Sequence, residues 1–98
     1  MKLDGILHYD KMVYVASERL WLSYRMFKRD ETTCSSYCLS IALIGDDEYD
    51  ECILWDITSF LDVAQRLWIL FTEELVTPCT AADVLEDLLS DFDFLYGK

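Results

Sequence analysis

The chain has 98 residues, 53% of them hydrophobic, and 19 acidic groups against 8 basic ones give it a net charge of −11. That length fits one domain with a modest core, and that apolar content excludes disorder in spite of the charge. The same charge speaks against direct contact with nucleic acid or anionic lipid, both of which its field repels.

The charge is also uneven. Residues 1–33 carry six bases (Lys2, Lys11, Arg19, Arg25, Lys28, Arg29) and five acids, whereas residues 34–98 carry fourteen acids against Arg66 and Lys98. The opening "MKLDGILHYDKM" lacks the apolar core of a secretory signal, and "LWILF" at 67–71 is far too short to span a bilayer. A cytoplasmic location follows as an expectation, with Cys34, Cys38, Cys52 and Cys79 as reduced thiols.

Residues 1–18 read as an edge strand or an irregular arm, since "MVYVA" has strand composition while "ASERLW" suits a helical turn. From residue 19 a meander is expected, running to 56. "RLWLSYRMFKR" alternates as a strand does: Leu20, Leu22, Tyr24 and Met26 fall on one side, Trp21, Ser23, Arg25 and Phe27 on the other. "YCLSIALI" at 37–44 puts Tyr37, Leu39, Ile41 and Leu43 on one face and Cys38, Ser40 and Ala42 on the other. The segment "GDDEYDE" then turns the chain. A loop of about three to five residues is expected to align Ile53 and Trp55 with the Leu39–Ile41–Leu43 face.

At Thr58 the period changes to a helical one, and two helices are expected over 58–92. "TSFLDVAQRLWILFTEEL" gives a stripe of Phe60, Ala64, Leu67, Trp68, Phe71 and Leu75, with Asp62, Gln65, Arg66, Thr72 and Glu73 outside. Thr58 or Ser59 suits the N-cap, and Pro78 ends the helix. Thr80 is expected to open the second helix, which buries Ala81, Val84, Leu85, Leu88, Leu89 and Phe92 and exposes Asp83, Glu86, Asp87 and Asp91. The order gives an α+β domain: an antiparallel meander of three or four strands followed by two helices packed on one face.

The stretches "LSYRMF", "YCLSIAL", "DECILWDIT" and "VAQRLWILFTEELVTPCTAADVLEDLL", spanning roughly 20–90, resemble a family of small, functionally uncharacterised proteins from Gram-positive bacteria. In that family a meander ending in I-x-D-I-S/T precedes a helix, then an S/T-P segment and a V-L/V-E-D-L/F-L helix. The corresponding residues are Ile53, Asp56, Ile57 and Thr58 (with one extra residue between Ile53 and Asp56), Thr77-Pro78, and Val84 to Leu89. The resemblance implies the fold and transfers no catalytic residue. The acidic turn lies outside its pattern.

Four cysteines are enough for a tetrahedral zinc site. In the register above, Cys38 and Cys52 share the sheet's smaller-residue face, with Cys34 reaching back and Cys79 coming from the helix connection. The spacing lacks a CxxC knuckle, and plain buried or edge thiols are the ordinary reading. His8 is the one histidine, placed near the N-terminus, where a nucleophile–histidine pair would need a formed pocket. "DDEYDE" lacks the mid-loop glycine of a calcium loop. No catalytic set emerges, and the chain reads as a non-enzyme needing no cofactor.

The remaining candidate is the acidic surface. Asp46, Asp47, Glu48, Asp50 and Glu51 surround Tyr49, and Asp83, Glu86 and Asp87 follow on a helix. Carboxylates so spaced imitate nucleic-acid phosphates and fit a basic groove on a nucleic-acid-handling protein such as a Cas effector. In size and charge the chain is similar to acidic phage anti-CRISPR inhibitors. The competing reading is a small cytosolic regulatory or structural domain, homodimeric through exposed aromatics such as Trp21 and Phe27, with those acids merely solvated.

Overall fold

The computed structural model describes residues 6–30 and 35–90. Four strands, β1 (Ile6–Val15), β2 (Leu20–Asp30), β3 (Ser35–Ile44) and β4 (Tyr49–Thr58), precede two helices, α1 (Leu61–Glu73) and α2 (Pro78–Leu89). The strands form one antiparallel sheet in the order β1-β2-β3-β4. Of the expected N-terminal segment, Ile6–Val15 supplies an edge strand, and the α+β meander with two following helices is as the sequence patterning predicts.

Strict alternation fixes which face is covered. Leu22, Tyr24 and Met26 of β2 and Tyr37, Leu39 and Ile41 of β3 point to the helices and are buried. Against them pack Val63, Ala64, Leu67 and Phe71 of α1 and Ala81 of α2. Tyr9 of β1 extends that layer: its ring stacks on Trp68 at 5.3 Å, and its hydroxyl accepts a 2.9 Å bond from Gln65 Nε2.

The register of β4 differs from the expectation. Ile44 pairs with Tyr49, Leu39 with Leu54 and Ile41 with Cys52. A four-residue loop, closed by the Gly45 N–H donating to the Glu48 carbonyl at 2.9 Å, sets this pairing. A three- or five-residue loop would have put Ile53 and Trp55 under the helices. One residue of slip exchanges the faces of a whole strand, so Cys52 and Leu54 face the helices while Ile53 and Trp55 lie on the open side.

The helices also begin and end differently from the pattern. Phe60 is the N-cap residue of α1; Thr58 Oγ1 instead accepts from the Phe60 N–H at 3.1 Å in the preceding turn. Phe60 is 66% exposed, which removes it from the buried stripe, whereas Thr72 is buried because its hydroxyl bonds back to the Trp68 and Ile69 carbonyls. Leu75 also leaves the stripe, being exposed in the turn after α1. Pro78 does not stop α1, which ends at Glu73; it opens α2 with Thr77 as N-cap. Proline's fixed φ and missing donor suit the first helical position. Leu89 is 37% exposed, and Phe92 and Asp91 lie outside the described residues.

Candidate functional site

Asp46, Asp47 and Glu48 form the tip of the β3–β4 hairpin and are exposed. The first four residues of the turn, Gly45 to Glu48, are held by the single backbone bond across them. Asp50 and Glu51 continue into β4 and diverge: Asp50 pairs with Leu43 on the helix side, Glu51 with Ala42 on the open side. Tyr49, 63% exposed, stands on the open side with Glu51. Asp50 Oδ1 accepts the Glu51 N–H at 2.9 Å. None of these five carboxylates joins an ion pair among the described residues.

The β1–β2 turn abuts the same end of the sheet. Glu18 and Arg19 with Gly45, Asp46, Asp47 and Glu48 line a shallow cleft of about 300 Å³. One guanidinium thus sits among four carboxylates. Arg19 has a positive φ of 56°, held by the tight turn in which its N–H donates to the Ala16 carbonyl at 3.3 Å. The acidic end is therefore a two-turn feature, and sequence order alone hides the contribution of Glu18. Asp83, Glu86 and Asp87 lie elsewhere, exposed along the outer side of α2. The structure brings the hairpin acids together and places the helical acids on a separate element.

The three described cysteines do not converge. Cys38 is buried on the open face, Cys52 is half-buried under the helices, and Cys79 is exposed on the first turn of α2. The expected sharing of one face by Cys38 and Cys52 fails because of the four-residue loop. Among the described residues no three metal-ligating side chains gather; Cys34 lies outside them. His8 falls at a register shift of β1, and its side chain is outside the described set.

A polar cluster at the far end of β4 had no counterpart in the sequence patterning. Tyr37 pairs with Thr58 and Leu39 with Leu54, so Trp55, Asp56 and Ile57 stand opposite Cys38 alone. This is a bulge, and Asp56 turns it with a φ of 52°. Its carboxylate accepts from Ser36 Oγ at 2.5 Å and from Arg29 Nη1 at 3.2 Å, while its N–H donates to Cys38 Sγ at 3.3 Å. Arg29 also lies over the Trp55 ring, 5.3 Å from its centroid.

A thiol beside a carboxylate and a guanidinium invites a catalytic reading, and the electrostatics go against it. Burial pushes the Cys38 thiol above its ordinary value; the bond from the Asp56 N–H and the Arg29 charge oppose this, and the Asp56 carboxylate adds to it. The reactive thiolate is thereby disfavoured. The arrangement locks a bulge.

No helix among the described residues is long and apolar enough to cross a membrane. Neither protein-family models, nor curated proteins, nor solved structures return a match to this chain.

Proposed function

We propose that this chain is a small acidic protein-binding module, acting by contact rather than by catalysis, and that its hairpin end docks on a basic surface of a nucleic-acid-handling protein. The sharpest form of the proposal is an inhibitor that occupies the nucleic-acid groove of a nuclease such as a Cas effector, in the manner of anti-CRISPR proteins. The observation that carries it is the exposed tip of Asp46, Asp47 and Glu48, continued by Asp50 and Glu51, with no ion pair among the described residues. Carboxylates left unpaired on a chain of net −11 keep their field for a partner, and such a field speeds encounter and orients docking. Tyr49 beside them offers an aromatic contact of the kind that concentrates binding energy. Asp83, Glu86 and Asp87, exposed on α2, form a second anionic patch apart from the hairpin. A cytoplasmic setting agrees with this role, and direct contact with nucleic acid or membrane does not.

The test is a gel-shift competition in which the chain displaces guide or target nucleic acid from a Cas effector, repeated across ionic strength. Displacement should weaken steeply with salt and be abolished by reversing Asp46, Asp47, Glu48, Asp50 and Glu51 to lysine. Displacement indifferent to both would refute the docking surface.

A further inference from the structure

No helix among the described residues packs on the sheet's second face, which carries exposed apolar side chains around a lower centre. The cross-strand partners Tyr14, Trp21, Ile44 and Tyr49 form a row across all four strands. They are exposed by 51%, 43%, 36% and 63%, and the Tyr14 and Trp21 rings touch at 5.0 Å. At the opposite end Leu7 and Trp55 are exposed by 49% and 47%, while Phe27, edge-on to Trp55 at 5.9 Å, is only 1% exposed and is not the exposed aromatic that the patterning suggested. Between these ends the central strands carry Ser23, Ala42 and Ser40 beside Arg25, with Met12, 52% exposed, and Ile53 in the same rows on the edge strands. The face is therefore lowest at its centre, over Ser23, Ala42 and Ser40.

We propose that this face binds a second copy of the chain, sheet against sheet, with the aromatic row of each copy over the low centre of the other. A two-fold interface needs one surface to present both shapes, and this one does.

Charge favours the same occupant. On a chain of net −11 most surfaces repel their own copy. Here Arg25 lies 3.8 Å from Asp10 and Arg29 lies 3.2 Å from Asp56, which among the described residues leaves Glu51 as this face's one unbalanced charge. The open face is thus the place where two copies approach with least repulsion.

The area is of the order a dimer needs. Four strands about 4.8 Å apart and about ten residues long present a flat projection of roughly 600 Å², and the accessible surface of a ridged face exceeds its projection. A stable interface takes about 800 Å² from each partner. Packed sheets of this kind lie about 10 Å apart with their strands nearly aligned. The inference does not depend on what the acidic hairpin binds.

Sedimentation velocity of the full chain from about 1 to 200 µM tests it, an interval spanning ordinary dimer affinities. The wild type should move from the 11.5 kDa chain mass to twice that value. Trp21→Arg and Tyr14→Lys should each weaken self-association at least tenfold while circular dichroism and the unfolding midpoint show a folded protein. Raising the salt should preserve or tighten the wild-type dimer by screening like charges, the opposite of its expected effect on hairpin docking. A wild type that stays monomeric throughout, a dimer untouched by both substitutions, or a dimer that salt dissociates would overturn the proposal. Tyr49 and Glu51 border both surfaces, so the hairpin is read by reversing Asp46, Asp47, Glu48 and Asp50 alone, and the open face by Trp21→Arg and Tyr14→Lys.

Discussion

The Tyr24 hydroxyl, at the centre of β2, donates a 2.9 Å hydrogen bond to the carbonyl of Val76, between the two helices. It ties the sheet to the link that reverses the chain, just after Leu75 adopts a φ of 53°. Burial raises the phenol from 10.0 to about 12. The fold thus prefers the neutral form, so this contribution is complete below pH 10 and lost as the pH rises through about 12. Tyr24→Phe should cost about 1–2 kcal/mol at neutral pH, since the Val76 carbonyl loses its partner. It should also flatten the alkaline loss of stability. Urea unfolding of both proteins from pH 8 to 11.5 measures this, and parallel declines would count against the assignment.

Asp56 combines a left-handed backbone with two side-chain bonds, and substitutions separate the two effects. Asparagine tolerates that backbone and keeps an acceptor for Ser36; alanine does neither. Asp56→Ala should therefore cost about 1–3 kcal/mol and Asp56→Asn less than half as much, because the partly exposed Arg29 pair adds little. Equal losses in chemical denaturation would show that the bulge does not depend on this side chain.

The thiols should react in an order set by position. Cys79 is exposed, Cys52 half-buried and Cys38 buried. Burial is the main cause raising both Cys52 and Cys38, with the Asp50 carboxylate adding to it at Cys52. A raised value means less thiolate at neutral pH and slower alkylation. Iodoacetamide at pH 7.5, read by peptide mass spectrometry, should label Cys79 first, then Cys52, and Cys38 only on unfolding. Early labelling of Cys38 would contradict its place beneath the bulge.

The fold was legible wherever a local period decided it. Leu22, Tyr24 and Met26 announced their face by alternation, and Ala64, Leu67 and Phe71 by helical spacing. Non-local geometry was not legible. Whether Ile53 or Leu54 faces the helices turns on the parity of one loop, and a run of six polar residues has no visible parity. Asp56 could not be recognised as a bulge residue, because its partners Ser36 and Arg29 come from two other strands. The acidic hairpin was legible as charge, while its neighbour Glu18 was not, since only the folded sheet brings the β1–β2 turn beside it.

Charge at the hairpin should oppose folding even as it serves binding. Asp46, Asp47 and Glu48 crowd one exposed tip with Glu18 close by, and like charges at such separations repel through solvent. Neutralising Asp46, Asp47 and Glu48 to their amides should raise the thermal midpoint at low ionic strength. Salt screens the same repulsion with a Debye length of about 10 Å at 0.1 M, so added sodium chloride should raise the wild-type midpoint and narrow the gap to the variant. Thermal unfolding of both proteins between about 10 mM and 0.5 M salt reads the difference, over which that length falls from about 30 Å to a few ångströms. A variant less stable than the wild type at low salt would mean that these carboxylates make stabilising contacts within the fold, leaving little free charge for a basic partner to capture.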